Sequence, residues 1–216
     1  MSNTLTQATF GIDGTVAEGS SVVVRDLLVR SAMALFRERA FHEVSLAAVV
    51  AHSGVAAAAA AAEFPAWEDL VFATIHAWNA ERMIPLRHVA DRYGAVALLR
   101  AVAAGNVQDP GLMRLLATMT PIAGTPGHPM APVLQRQWIQ FHAMVQRALA
   151  HDIEIGLEPA TMDPARGAEQ LIAIYEGLQA QSMVRPHMDV IEAYDRAVTR
   201  LRDGWSIEYH RPIWSL

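Results

Sequence analysis

Histidine is the side chain in this sequence best suited to proton transfer or metal binding, and nine histidines are spread along the chain. No two of them have the HxxxH or HExxH spacing that places metal ligands on one face of a helix, so the sequence predicts no metal site. His142 and His151 share one predicted helix, and His142 with Trp138 and Met144 could line a pocket. A half-buried histidine satisfied by its neighbours is the commoner alternative.

Motifs for covalent catalysis and phosphate binding are absent from the sequence. It contains no GxSxG nucleophile elbow, no phosphate-binding loop, no GxGxxG turn and no cysteine, which excludes thiolate chemistry and Cys-based zinc sites. Glu154 and Glu158 are better explained as solvated helix-end residues than as a catalytic pair. We therefore expect no catalytic residue, no cofactor and no metal, although an enzymatic role stays open.

Composition predicts a folded cytoplasmic protein. Hydrophobic residues make up 52% of the 216 residues and charged residues 18%, which is enough apolar material for one large domain or two small ones. No signal peptide and no stretch of about 20 uncharged apolar residues is present, so no membrane segment is expected. The net charge of −5 is unfavourable for binding a phosphate backbone.

The N-terminal third has the pattern of three short helices. Apolar residues recur at three- and four-residue spacing from Val22 onward, which predicts a helix that ends near Ala40. Ser45 is a suitable N-cap for a second helix, and Ser53-Gly54 is a suitable end for it. A third helix must follow at once, over residues 56–62. Two helices joined by a tight glycine turn after an amphipathic helix predict a helix-turn-helix unit.

The remaining sequence predicts further helices and no strand, so the expected fold class is all-α. These helices are expected over about residues 66–85, 94–105, 110–120, 131–155, 163–184 and 188–202.

The N-terminal spacing resembles that of the TetR (tetracycline-repressor-like) regulators. The matching positions are Arg25, Ala32, Leu35, Phe36, Ser45, Leu46, Val49, Gly54, Val55, Phe64, Glu68 and Leu70. His128-Pro129, Asp163-Pro164-Ala165 and Gly177-Leu178-Gln179 resemble the C-terminal region of the family, so the resemblance covers about residues 22–203. It implies a helix-turn-helix domain over 22–66 and a ligand-binding and dimerisation domain over 67–216. The polar start, residues 1–21, is expected to be a disordered arm.

The resemblance also implies a repressor that binds a small apolar effector in its C-terminal domain. Methionine and aromatic side chains adapt to varied apolar ligands, and a few polar side chains orient them. The candidate pocket residues are Trp78, Arg82, Met83, Arg100, Met113, Trp138, His142, Tyr175 and Gln179. Core packing is the alternative for the apolar members of this set.

Two of the C-terminal helices carry apolar stripes that would form a four-helix bundle with a second copy, as in the family. The candidate interface residues are Leu171, Tyr175, Leu178, Ile191, Tyr194 and Val198. We expect a homodimer; the alternative is that both stripes pack inward on their own chain.

The third helix departs from the family pattern. Where family members carry a capping Ser or Thr, small or basic residues and an aromatic, this chain has seven alanines at 56–62. Alanine favours a helix but offers DNA only a methyl group that can touch thymine. The segment from Ser21 to Phe72 contains four arginines and six acidic residues, which gives it a net charge of −2. The candidate DNA contacts are therefore few: Arg25, Arg30, Ser45, Ala57 and Ala61.

Two functions remain open. The chain is either a ligand-responsive regulator whose effector changes the spacing of two DNA-binding heads, or a TetR-fold protein that has lost DNA binding and binds or transforms a small molecule. The alanine tract fits a natural loss of DNA binding, or an engineered or unassigned segment in place of an ordinary recognition helix. It also fits a weak regulator that binds DNA through its flanks or through a heterodimer partner.

Overall fold

Helices build the fold throughout the part of the chain that the structure covers. The computed structural model describes the backbone of residues 13–210 and, except for residue 87, the side chains of residues 21–210. Within these limits the elements are α1 (Asp13–Glu38), α2 (Leu46–Ser53), α3 (Ala57–Glu63), α4 (Trp67–Met83), α5 (Arg87–Gln108), α6 (Pro110–Ala123), α7 (Ala131–Glu154), α8 (Pro164–Val184) and α9 (Val190–Trp205). Single 3-10 turns lie at Phe41–Glu43 and Ile84–Leu86. The all-α fold class is confirmed.

The first helix is longer than the sequence pattern predicts. α1 begins at Asp13 rather than at Val22, so the expected disordered arm is wrong for residues 13–21, which are helical. Residues 1–12 of that arm lie outside the described residues. The polar composition of 13–21 does not prevent a helix, because the helix is already nucleated by the buried turns that follow.

The next two helices form the predicted helix-turn-helix. Ser45 caps α2, since its side chain accepts a hydrogen bond from the backbone N–H of Ala48 at 3.3 Å. Gly54 ends α2 in the left-handed conformation, with φ of 69°, a value that glycine adopts without strain. α3 then begins after Ala56, one residue from the predicted start.

Two hydrophobic cores hold the helices together. The first core joins α1–α4 to α6 and the start of α7, through residues such as Phe36, Leu70 and Leu112. The second joins α5, the later part of α7, α8 and α9, through residues such as Leu99 and Leu171. Because the first core continues from α3 into α4 and α6, the helix-turn-helix unit does not have a core of its own.

α5 contains a break at Gly94, where φ is 85° and ψ is 176°. The buried carboxylate of Asp152, on α7, accepts a hydrogen bond from the backbone N–H of Ala95 at 2.7 Å and so caps the second half of α5. A Cβ atom at residue 94 would lie 2.8 Å from Oδ2 of Asp152. The predicted helix start at Gly94 therefore matches this second half.

A close contact joins α6 to α1. A Cβ atom at Gly111 would lie 2.4 Å from Cα of Arg37, so the two backbones approach as closely as only glycine permits. Arg37 also donates hydrogen bonds from Nε and Nη2 to Oδ2 of Asp109, at 3.0 and 2.9 Å. The helix-turn-helix unit and α6 are thereby fixed to each other.

One acidic residue expected at the surface is buried. Glu158 is only 6% exposed, and its Oε1 lies 2.9 Å from Nη2 of Arg202, whereas Glu154 is exposed as expected. Burial raises the pKa of Glu158, and the bond from Arg202 opposes this shift. Arg202 lies 44 positions away in the chain, so sequence spacing does not indicate the pair.

Candidate ligand pocket and DNA-binding surface

A buried polar cluster links α4, α5 and α8. Asn106 is fully buried, and its side-chain amide donates hydrogen bonds to the hydroxyl of Tyr175 at 2.8 Å and to Oε1 of Gln179. Its side-chain oxygen accepts a hydrogen bond from Nη1 of Arg82. The cluster therefore joins three of the predicted pocket residues through an asparagine that the sequence analysis missed. Nothing in the spacing of Asn106 distinguishes it from an exposed helical residue.

Arg82 is held on its other sides by α4 itself. Its Nε and Nη2 donate to Oδ1 of Asn79 at 3.0 and 2.6 Å. Its guanidinium lies over the ring of Trp78, 4.3 Å from the centroid, where a cation is attracted by the π-system. Trp78 and Arg82 thus form one side of the polar cluster.

Next to the cluster, a cavity of about 420 Å³ lies between α6 and α8, and we call it the α6–α8 pocket. α6 contributes Met113, Leu116, Ala117 and Thr120, α7 contributes Trp138, and α8 contributes Ala173, Tyr175, Glu176, Gly177, Gln179, Ala180 and Met183. Four predicted pocket residues therefore lie together here: Met113, Trp138, Tyr175 and Gln179. A larger cavity, of about 670 Å³, lies between the start of α8 and the end of α9 and contains none of the predicted residues.

Glu176 is the pocket residue that the sequence analysis missed. Its Oε1 atom is buried and has no hydrogen-bond partner among the described residues. Burial raises the pKa of this carboxyl group to about 7. A helical projection could have found it, because positions 173, 176, 180 and 183 share one face of α8.

Three predicted pocket residues lie elsewhere. Arg100 forms a bidentate pair with the exposed Asp195, from Nε to Oδ1 at 2.6 Å and from Nη2 to Oδ2 at 2.7 Å. Met83 packs against the second core, and His142 is half-buried on α7 outside the lining of the α6–α8 pocket. Residue type alone does not indicate which face of a helix points inward, so a ligand-binding role for these three residues stays a prediction.

The solvent-facing side of α3 carries only methyl groups. Ala60 is fully buried against the first core, whereas Ala57 and Ala61 are exposed. Ala56, Ala58 and Ala62 are exposed as well. The surface that would enter a DNA groove therefore offers no hydrogen-bond donor or acceptor from a side chain.

The predicted phosphate contacts already have partners within the chain. Nη1 of Arg25 lies 3.0 Å from Oε1 of Glu63, and its guanidinium lies 4.5 Å from the ring centroid of Phe64. A hydrogen bond from Ser21 and the bond from Arg25 lower the pKa of Glu63. Arg30 pairs with Asp26 one helical turn away. Exposed ion pairs are weak because water screens both charges, so DNA phosphates can compete for both arginines.

Comparison with solved structures identifies the arrangement of helices. The chain is similar to SmeT, the repressor of the Stenotrophomonas maltophilia multidrug efflux pump SmeDEF, in complex with triclosan (TM-score 0.67, 19% identity, covering 89% of this chain and 100% of that chain). It is also similar to Thermus thermophilus FadR, a TetR-family repressor in complex with lauroyl-CoA (TM-score 0.61, 19% identity, covering 88% of this chain and 99% of that chain). For a TetR-family regulator from Streptomyces coelicolor the TM-score is 0.65 at 20% identity, covering 87% of this chain and 97% of that chain. The chain has the TetR fold.

The likeness is one of structure. No protein-family model and no curated protein sequence matches the chain. In the TetR fold, α1–α3 are the helix-turn-helix unit that the sequence spacing predicts, and α4–α9 form the C-terminal body.

Within this TetR fold, the predicted interface residues mostly face inward. Leu171, Tyr175, Tyr194 and Val198 are buried in the second core, where the chain itself covers them, and Leu178 and Ile191 are half-buried against the same core. The structure therefore shows the alternative that the sequence left open, in which both stripes pack inward on their own chain. Leu178 and Ile191 keep part of their surface exposed, and the homodimer stays a prediction.

Neither a metal-binding cluster nor a membrane-spanning helix is present among the described residues. Within residues 13–210, no group of three or more His, Asp or Glu residues is arranged to hold a metal ion. Among the described helices, none is long and apolar enough to cross a membrane.

Proposed function

We propose that the chain is a ligand-responsive transcriptional repressor of the TetR type, in which α6 transmits occupation of the α6–α8 pocket to the DNA-binding head, α1–α3. One observation carries this proposal. α6 lines the pocket with four residues and, on its other side, packs against α1 through Gly111 and Asp109. A ligand that moves α6 therefore moves the head as well. Such a regulator acts on DNA, so the proposal includes a cytoplasmic location.

The contact at Gly111 explains why the coupling would be strong. The backbone of Arg37 leaves no room for a side chain at Gly111, so α6 cannot slide past α1 without displacing it. The two hydrogen bonds from Arg37 to Asp109 fix the start of α6 in the same place. A ligand shifts the equilibrium of the head only by its differential affinity for two positions of α6.

We further propose that the repressor is a homodimer in which α8 and α9 of the two copies pack together, as the resemblance to the family implies. Leu178 and Ile191, two of the candidate interface residues, are half-buried, so part of each side chain is open to a second copy. Two helices from each copy would form a four-helix bundle.

DNA binding by this head would depend on phosphates more than on bases. Arg25, Arg30 and Ser45 lie on α1 and at the start of α2, where they can reach the DNA backbone, and Ala57 and Ala61 can contact thymine methyl groups. The shape and deformability of the DNA would then contribute to selectivity.

A second function is favoured by the bare surface of α3. A TetR-fold protein that binds a small molecule without binding DNA needs the pocket but not a recognition helix, and it tolerates alanine at every exposed position of α3. Fold alone does not decide between the two functions.

A reporter assay separates them. The upstream region of the gene is fused to a reporter, and the wild-type chain is compared with the Ala57→Glu, Ala61→Glu double variant, whose added charges repel phosphates. The repressor predicts that wild type lowers expression and that the variant restores it. Equal expression with wild type, variant and empty vector would favour the second function.

A further inference from the structure

We propose that the α6–α8 pocket binds a small apolar molecule carrying one positive charge, such as a protonated amine, and that Glu176 holds the charged group. The inference deepens the proposed function, because it takes the same pocket as the effector site and adds the chemical class of the effector.

The first support is the unpartnered carboxylate oxygen. Oε1 of Glu176 is buried and makes no hydrogen bond within the described residues, and it is the only buried side-chain oxygen or nitrogen among them in this condition. Buried polar atoms are nearly always paired, since leaving one unpaired is costly. A bound ammonium group donating to Oε1 would supply the missing partner.

The second support is the charge of the lining. Among the described residues, Glu176 is the only charged one that lines the pocket. The contributions of α6 (Met113, Leu116, Ala117 and Thr120) and of α7 (Trp138) include no titratable side chain, and the remaining titratable group is Tyr175 on α8 itself. A carboxylate without a cationic neighbour attracts a cation and repels an anionic ligand.

The third support is the shape and character of the walls. Trp138 and Tyr175 contribute aromatic rings, whose π-systems attract cations, and methionines at 113 and 183 adapt to an apolar body of variable shape. A volume of about 420 Å³ suits a ligand with one ring or a short chain.

Burial also makes the site sensitive to pH. The pKa of Glu176 is raised to about 7 because the carboxyl group is buried, so part of the population is protonated at neutral pH. A bound cation favours the ionised form, and affinity for a cation therefore increases as the pH rises from 5.5 to 8.

The test uses two probes that differ in a single group. Isothermal titration calorimetry measures binding of 3-phenylpropylamine, which is protonated, and of 3-phenylpropan-1-ol, which is neutral, to the full chain at pH 5.5 and 8. The proteins are wild type, Glu176→Gln, and Glu169→Gln, which removes an exposed charge from the same helix outside the pocket. Circular dichroism confirms that each variant is folded.

We expect wild type and Glu169→Gln to bind the amine about tenfold more tightly than the alcohol at pH 8, with the preference reduced at pH 5.5. Glu176→Gln should lose this preference and its pH dependence while binding the alcohol as wild type does. Equal affinity for both probes in wild type, or an amine preference that survives Glu176→Gln, overturns the proposal, as does the absence of binding by either probe. DNA binding by the same samples is measured separately, so a failure of this inference is distinguishable from a failure of the repressor proposal.

Discussion

Individual buried carboxyl groups determine much of the local structure of this chain. Asp152 restarts α5 by accepting the N–H of Ala95, and it fills the space that a side chain at Gly94 would need. Glu158 pairs with Arg202, while Oε1 of Glu176 has no hydrogen-bond partner in the part of the chain that the structure describes. Each of these groups has a raised pKa because it is buried, so each is a site where one substitution has a measurable effect.

Gly94→Ala should destabilise the fold. Alanine at φ of 85° is strained, and its Cβ would collide with Oδ2 of Asp152, so we expect a loss of about 1–3 kcal/mol in the free energy of unfolding. Gly105→Ala is the matched control, because Gly105 lies in the same helix with open space around it; this change should be neutral or stabilising by about 0.5–1 kcal/mol. Urea denaturation measures both. Equal stability of the two variants would contradict the role given to Gly94.

Glu176→Gln should make the protein more stable at pH 8 than wild type. The folded-state pKa of about 7 lies above the ordinary value of 4.5, so the stabilisation from the protonated form is present below pH 4.5 and is lost as the pH rises through 7. Glutamine keeps the shape without the charge, and the gain should reach about 1–3 kcal/mol at pH 8 and vanish at about pH 4. Urea denaturation at both pH values measures the difference. A variant less stable than wild type at pH 8 would show that a partner holds the ionised group.

Helical elements were predictable wherever a local capping residue or a breaker marks their ends. Asp163, whose side chain caps α8, and Gly54, which ends α2, both gave the correct boundary. The early start of α1 was not predictable from its polar residues. The faces of α8 and α9 were not predictable either, because an apolar stripe looks the same whether its own chain or a second copy covers it.

Arginine substitutions on the exposed face of α3 should strengthen DNA binding by the head. Ala57→Arg with Ala61→Arg places two cations on its exposed face, one turn apart, without disturbing the buried Ala60. We expect affinity for nonspecific duplex DNA at low salt to rise at least tenfold, and the slope of log K against log salt to steepen by about 2. Fluorescence anisotropy measures both quantities, with Arg substitutions at Ala51 and Gly105, exposed positions outside α3, as the charge-matched control. An equal gain in that control would show that α3 does not face the DNA.

On the scale of the whole molecule, the all-α architecture was predictable from the sequence, and the solved structures share the TetR fold with this chain. The contact between α1 and α6 and the cluster around Asn106 were not predictable, because both bring together residues far apart in the chain. Local periodicity carries information about one helix, whereas a pocket depends on the packing of several.

Fluorescence anisotropy of the purified chain with DNA from upstream of its own gene, across a salt series, tests the repressor most directly. An intact mass first confirms the seven alanines of residues 56–62. The repressor predicts a Kd below about 1 µM at low salt and a loss of affinity of at least about a hundredfold between 50 and 200 mM salt, as expected for several phosphate contacts. No binding at low salt by a folded protein of the correct mass would contradict it and leave ligand binding as the function of this TetR fold.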